Sequence, residues 1–589
     1  MKRFFGNILA VIIGNLLTFT LIFGFLFVFI MFSAIGTFFQ SSKIKNTSVL
    51  ELTFENPIKE SSMDDEFNLF ASSTEEEVYF RDIIRSIEKA KEDDKIEGIS
   101  LKIQSFSGGF SQLTDVRDAL LDFKKSGKFI YAYSHNTNQS AYILNSTADS
   151  IFQNPLGMVF LQGLSAEVMF FKNMGDKYGI DFQVIRHGAY KSAVEPYLRD
   201  DLSEENREQL GLLLNDIWTE TSTEIAKARN LSPELLNSYV DSLYSFNPDF
   251  ALRYKLVDKI AHEAEYDRAI AQRLNLSPDD DLHETLTKHT VSLSDYAKTL
   301  EMESGKDKIA VLYASGTITQ GEGFSGIQSE VYKNTIRELA KDDDIKAVVL
   351  RINSPGGSAD AAEEILYELK QLHKKKPIIV SFGDVAASGG YYIAMEADAI
   401  FANPNTITGS IGVLGMIPNF KTMINNVGLT TDYVNTNENA NFLHSLFQPL
   451  SETGLQTMTN MTEGVYSVFV HHVMNGRNMT YEEVDAVGGG RVWSGVEALK
   501  LGLIDDFGSL EDAIQFAAEK VGLEKYSLLN YPIRKGGWEE FFESFQSTKT
   551  ETFLKQELGE ANYQVYLQLK SMKEFNGVQV RMPFELKIK

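Results

Sequence analysis

The sequence predicts an α/β protein in which one unit is used twice. Two observations carry this reading: an internal repeat, and within each copy an alternation of apolar runs, glycine-bearing turns and helical spacing. A third, a long uncharged stretch at the N-terminus, sets the first residues apart from both copies. Ala148-Asp149-Ser150-Ile151-Phe152-Gln153-Asn154-Pro155 reads against Ala397-Asp398-Ala399-Ile400-Phe401-Ala402-Asn403-Pro404, 249 positions on, with six of eight residues identical. The same shift pairs Ile96 with Ile345, Leu101 with Leu350, Ile103 with Ile352, Tyr142 with Tyr391, Lys172 with Lys421 and Gly179 with Gly428. In this register Ser388 falls opposite Gln139, and Lys191 falls opposite Ala440. One copy keeps a candidate nucleophile and the other a candidate base.

Each copy opens on a strand, residues 49–54 in the first and 309–313 in the second. An acidic run, 60–77, follows in the first copy and reads as a solvated loop. In the second copy, residues 347–352 form a buried-type strand, Ser354-Pro355-Gly356-Gly357 is turn chemistry, and 359–372 has helical spacing. A strand at 377–382 leads into the turn Gly383-Asp384-Val385-Ala386-Ala387-Ser388-Gly389-Gly390 and a helix over 391–397. The first copy repeats the order: strand 99–103, turn Ser107-Gly108-Gly109, helix 112–125, strand 129–133. In such an arrangement ligands bind at the turns beyond the strand ends. Residues 265–305 read as helix plus linker, and the tail from Lys535 onward carries no chemical motif.

At 589 residues the chain exceeds one core and can bury two. Its 56 basic and 81 acidic residues leave a net charge of −25, which argues against nucleic acid as a partner. Cysteine is absent, which excludes disulfides, thiolate zinc sites and a cysteine nucleophile. Residues 8–35 carry no charge and exceed the roughly 20 needed to span a bilayer, so a retained membrane anchor is expected rather than a cleaved leader. Lys2 and Arg3 before the stretch are opposed by Lys43 and Lys45 after it, so orientation rests on a weak charge bias, with the bulk of the chain expected on the outer face.

A serine at a helix start among small residues sits where backbone N–H groups and the helix dipole favour developing negative charge. Ser388 meets that description, although a serine there can also simply cap the helix. Gly356-Gly357 can be a plain tight turn or a close approach for a substrate carbonyl. No histidine lies between His373 and His444 to serve the serine, no HExxH spacing supports a metal, and no GxxxxGK[ST] phosphate loop is present. A lysine can act instead if burial keeps its amine neutral. Lys191, in Tyr190-Lys191-Ser192-Ala193-Val194-Glu195-Pro196, has small and apolar neighbours, and its bland alternative is a surface pair with Glu195.

These segments closely resemble the signal peptide peptidase A family in its long, tandem form, membrane-anchored serine proteases of the Clp protease and crotonase-like fold. Tyr190 to Pro196 is similar to the family's lysine segment, Leu350-Arg351-Ile352-Asn353-Ser354-Pro355-Gly356-Gly357-Ser358 to its oxyanion segment, and Gly383 to Tyr392 to its nucleophile segment. Thr408-Gly409-Ser410-Ile411-Gly412 and Arg491-Val492-Trp493-Ser494-Gly495 resemble two further motifs. The resemblance implies two tandem Clp protease/crotonase-like domains after an N-terminal transmembrane helix: anchor 1–46, a lysine-supplying domain 47–300, a serine-supplying domain 301–534 and an extension 535–589. It further implies Ser388 as nucleophile, Lys191 as general base and acid, Ser410 as the residue positioning the lysine, and an oxyanion hole from Gly357 and Gly389, with no cofactor or metal. The implied substrates are remnant signal peptides and other short apolar peptides. The implied setting is a homotetramer on the bacterial inner membrane with its domains on the periplasmic side. An acyl-CoA enzyme of the same fold and a non-catalytic scaffold are the alternatives, and a Ser388→Ala assay separates them.

Overall fold

The computed structural model describes residues 44–54, 58–61, 78–276, 282–300, 304–323, 326–533 and 578–582, with isolated helical positions between 14 and 25. The expected anchor and most of the C-terminal extension lie outside these residues. Among the described residues no helix is long and apolar enough to cross a membrane.

In the first copy β1 (Ser48–Leu52), β2 (Ile96–Leu101), β3 (Phe129–Ser134) and β4 (Ser150–Gln153) form a parallel sheet. The next strand, β5 (Asp181–His187), leaves this layer, while β6 (Lys259–Ile260) and β7 (Thr290–Ser292) close its two edges in the order β6-β4-β3-β2-β1-β7. Leu50, Ile99, Leu101, Ile130 and Ile151 are buried, as expected of a parallel sheet whose two faces are both covered. The helices that matter for the site are α1 (Phe110–Lys124), α2 (Gln139–Asn145) and α3 (Glu204–Ala228).

The second copy runs from β8 (Lys308–Ser315), β9 (Ile318–Thr319) and β10 (Ile327–Gln328) through β11 (Ile345–Ser354), β12 (Gly356–Ser358), β13 (Ile378–Ala387), β14 (Ala399–Ala402), β15 (Ile407–Gly409), β16 (Val413–Asn419), β17 (Val492–Ser494), β18 (Asp506–Phe507) and β19 (Ser527–Tyr531). Its main sheet has the order β17-β15-β13-β11-β8-β19. The corresponding helices are α4 (Ala359–His373), α5 (Gly389–Tyr392) and α6 (Glu452–Arg477). The repeat is visible down to single hydrogen bonds. Tyr142 Oη donates to Leu256 O at 2.7 Å, and Tyr391 Oη to Leu503 O at 2.8 Å. Arg229 pairs with Asp258 at 2.7 Å, and Arg477 with Asp505 at 2.8 Å.

A third sheet joins the copies in the order β10-β9-β12-β20-β16-β5, where β20 (Val578–Arg581) comes from the C-terminal tail. Its β5 belongs to the first copy and β16 to the second, and they pair antiparallel from Val413↔His187 to Asn419↔Asp181. This register has a direct geometric effect: residues just after β5 meet residues just before β16.

Several local expectations are corrected. The segment Gly383 to Ala387 is strand rather than turn, because β13 stays paired with β11 as far as Ser354↔Ala386 and, on its other edge, exchanges β14 for β15 from Val385. The following helix starts at Gly389 and is regular only to Tyr392. Residues 265–305 hold more than a helix and linker, since Thr290–Ser292 supplies the edge strand beside β1. At the head of the acidic run, Glu60 and Ser61 are buried rather than solvated. Residues 62–77 of that run lie outside the described residues.

Candidate active site

The β5·β16 junction brings Lys191, four residues past β5, against Ser410, three residues before β16. Ser388, between β13 and α5, completes the cluster. Lys191 Nζ lies 2.8 Å from Ser388 Oγ, 2.9 Å from Ser410 Oγ and 3.0 Å from Ser410 O. All three residues are 0% exposed. Lys191 does not pair with Glu195, which accepts from Ser203 Oγ at 2.6 Å and from Asn206 Nδ2 at 3.1 Å. Burial alone pushes the Lys191 amine well below the ordinary lysine range.

A neutral amine has two N–H bonds and one lone pair. The two Ser410 oxygens accept the two N–H bonds, which leaves the lone pair for the Ser388 hydroxyl proton. Ser410 Oγ in turn donates to Gly490 O at 3.3 Å. Ser388 does not cap the helix after it: its side chain makes no cap bond, and its backbone sits at φ 57°. For a residue other than glycine that region costs about 1–3 kcal/mol and persists only where surroundings enforce it. Here Ser388 N donates to Gly409 O at 2.8 Å and Tyr392 N to Ser388 O at 2.8 Å.

Gly356 and Gly357 lie beside Gly389. Gly356 has φ 95°, and a Cβ there would stand 2.6 Å from the Gly389 amide nitrogen, so only glycine lets the two backbones approach. A Cβ at Gly389 would lie 3.2 Å from the Gly357 nitrogen. The Gly357 and Gly389 amide nitrogens are therefore brought close together beside Ser388.

Residues to which the motif reading gave no role hold the lysine in place. Tyr190 N donates to Gly489 O at 3.2 Å, Ser410 N to Arg491 O at 2.7 Å, and Gln209 Nε2 to Tyr190 O at 3.1 Å. A Cβ at Gly490 would meet the Lys191 Cβ at 2.6 Å. The Arg491 guanidinium lies between the rings of Tyr190 and Trp493, at 4.7 and 4.5 Å from their centroids, and pairs with Glu208 at 2.9 Å. The Gly-Gly-Gly-Arg run at 488–491 was the available signal for this clamp.

A buried charge cluster lies where β11 and β13 meet residues of the first copy. Arg351 donates to Glu60 at 2.9 and 3.2 Å and to Phe382 O at 2.8 Å. Burial opposes its charge, and the Glu60 carboxylate more than offsets this, holding the guanidinium above its usual range. Asp384 Oδ1 accepts from Ser111 N at 2.8 Å, at the start of α1 in the other copy. Asn403 Nδ2 donates to Asp115 Oδ1 at 2.9 Å. Burial raises the Asp384 carboxyl to about 6, with Glu60 adding to the effect, and raises Asp115 to about 7.

The abandoned half-sites are filled differently. Gln139 occupies the first copy's serine position and plugs it, its Oε1 accepting from Gln162 N at 3.1 Å and Gly163 N at 3.0 Å. Ala440 sits in an exposed turn.

The model of Peptidase family S49 matches residues 122–277 and again 370–524, one match per copy. The chain belongs to peptidase family S49. The Clp protease model matches residues 301–408, the part of the second copy that carries Ser388. "Protease 4" of Salmonella typhi is 34% identical over 475 residues, covering 79% of this chain and 76% of that protein. "Serine protease SPPA, chloroplastic" of Arabidopsis thaliana is 31% identical over 487 residues, covering 82% and 70%. "Putative signal peptide peptidase SppA" of Enterococcus faecium is 30% identical over 240 residues, covering 40% of this chain and 70% of its own. This S49 chain is thus a serine peptidase with tandem family regions on a mixed α/β fold.

Proposed function

We propose that this S49 peptidase is a membrane-anchored endopeptidase with a Ser388–Lys191 dyad that degrades remnant signal peptides and similar short apolar peptides. The observation that carries the reading is the 2.8 Å separation of a buried lysine amine and a buried serine hydroxyl. Two features support it: burial shifts Nζ toward its neutral form, and the two Ser410 oxygens lie within reach of its N–H bonds.

The reaction follows from these groups. Nζ takes the Ser388 proton as Oγ attacks the scissile carbonyl, and the N–H groups of Gly357 and Gly389 hold the oxyanion. The charged amine then gives its proton to the leaving amine. Water deprotonated by the same neutral amine releases the acyl group, restoring Ser388. No metal or cofactor enters any step.

The choice of substrate draws on the relative named for signal peptides and on the uncharged run at 8–35, which would hold the domains at a membrane where such peptides are released. The setting we propose is the bacterial inner membrane, domains on the periplasmic face, with four chains in a closed ring. Hydrolysis of an apolar peptide ester by the full chain, lost in Ser388→Ala and in Lys191→Met, is the expected result. Undiminished hydrolysis by Ser388→Ala would sink the reading.

A further inference from the structure

Helix α6 lies across the joint between the copies, and its buried face leads toward Lys191. Met458 packs against Ile185 of β5 and Ile417 of β16. About two turns on, along the same stripe, Tyr466 is 1% exposed. Its ring stacks on His187, the last residue of β5, with centroids 3.6 Å apart. His187 Nδ1 lies 2.8 Å from Glu463 Oε2 of the same helix, which holds the stack at its outer side. The Tyr466 phenol donates to Asp485 Oδ1 at 2.6 Å, in α7 (Tyr481–Val487). A backbone hydrogen bond from Gly489, just past α7, reaches the same phenol oxygen. A Cβ at Gly488 would stand 3.0 Å from that oxygen, so the chain passes directly beside it.

Beyond the phenol, Gly489 and Gly490 engage the lysine site with their backbone groups. Gly489 O accepts from Tyr190 N at 3.2 Å, one residue before Lys191. Gly490 N donates to Ile411 O at 2.8 Å, and Gly490 O accepts from Ser410 Oγ at 3.3 Å. The pair therefore touches both the segment that carries the lysine and the serine whose oxygens lie 2.9 and 3.0 Å from Nζ. Both glycines are left-handed, at φ 60° and 85°, and a Cβ on Gly490 would stand 2.6 Å from the Lys191 Cβ. Two successive glycines have wide conformational freedom and no side chains to restrain it. Tyr466 ties them to the buried face of a 26-residue helix. Because the phenol donates to a carboxylate, it is a better acceptor for the Gly489 N–H, since hydrogen bonds in a chain polarise one another.

We propose that Tyr466 is a positioning residue for the reaction: its phenol fixes the Gly489–Gly490 pair, and the pair sets the separation and aim of Lys191 and Ser410. This rests on the peptidase reading of the site, in which the lysine amine is the group that must be aimed. Removing the phenol oxygen leaves the ring, its core packing and the His187 stack in place, and frees the glycine pair. A displacement of about 1 Å in a reacting group costs about 10²-fold in rate. A loosened loop also admits water to the amine, which moves its titration toward that of an ordinary lysine.

The test is Tyr466→Phe in the full chain, read by peptide-ester hydrolysis and by fluorophosphonate labelling of Ser388 across pH, with rates counted per chain that labels at completion. The expected kcat is about 10- to 100-fold below native with KM within about twofold, and the pH midpoint of labelling rises. Asp485→Asn, which keeps an acceptor for the phenol, is expected to lose less than Tyr466→Phe. Counting per labelled chain separates positioning from folding. Native rates on fewer labelled chains, or a native kcat with a native pH midpoint, overturn the proposal. Lys191→Met is measured alongside. If it is inactive while Tyr466→Phe is native, only the role of Tyr466 falls; if it hydrolyses the ester at the native rate, the dyad falls first.

Discussion

In the proposed reaction Lys191 is the residue on which the chemistry turns, and its environment predicts a particular pH behaviour. Burial depresses its folded pKa below the unfolded value, so between the two the unfolded chain binds the extra proton. Stability linked to this group therefore rises with pH and is lost as pH falls. Activity follows the same direction, because only the neutral amine accepts the Ser388 proton. Lys191→Met exchanges the amine for an apolar group of similar volume: turnover should fall by at least about 10³-fold, while the melting temperature rises at neutral pH and becomes less sensitive to acid. Peptide-ester assays and thermal melts between pH 5 and about pH 9 check both arms. Ser410→Ala removes one of the two acceptors that aim the amine. Its kcat should drop by about 10- to 100-fold with KM little changed, as expected when a catalytic group is misaligned rather than lost.

Among the elements, the joint between the copies matters most, and Asp384 marks it. Four residues before Ser388, it binds the first turn of α1 from the other copy, so the strand leading to Ser388 is docked on the copy that carries Lys191. Asp384→Asn keeps an oxygen for the Ser111 amide and should retain most activity, whereas Asp384→Ala should lower kcat. Asp115 gives the pH-dependent counterpart. Its folded pKa is raised to about 7 by burial, so its contribution is present at low pH and lost as pH rises through about 7. Asp115→Asn keeps the Asn403 contact through its oxygen, and should raise the melting temperature at pH 8 by about 2–4 °C per kcal/mol recovered, with little change at pH 4.

The same elements explain which parts were readable in advance. Ser388, Lys191, Ser410, Gly357 and Gly389 sit in short segments that resemble the family's motifs, and the copies align because their strands and turns repeat. The Glu60–Arg351 pair was hidden because its partners are 291 positions apart and Glu60 heads an acidic run that resembles solvated surface. Strand β13 runs beyond its apolar stretch because β11 stays beside it and β15 takes over from β14 on its other edge, which periodicity along one segment does not report. Gln579-Val580-Arg581-Met582 has no motif at all; only the neighbouring strands β12 and β16 reveal where it pairs.

For the whole molecule, the proposed dyad divides its roles between the copies, with a hydrogen-bonded Gln139 opposite Ser388 in the repeat and Ala440, exposed in a turn, opposite Lys191. Because Lys191 and Ser388 meet within one chain, mixing Lys191→Met chains with Ser388→Ala chains should restore no hydrolysis. Partial recovery would mean that the β5·β16 junction forms between chains. The central claim is that the two copies jointly make Ser388 nucleophilic through a neutral Lys191. It is tested most directly by the rate at which a fluorophosphonate labels Ser388 as a function of pH, followed by intact mass. The account predicts a single label whose rate rises with an apparent pKa well below that of free lysine, and no labelling in Lys191→Met. Labelling at undiminished rate in Lys191→Met, or a profile that rises only near the ordinary lysine pKa of about 10.4, would contradict it.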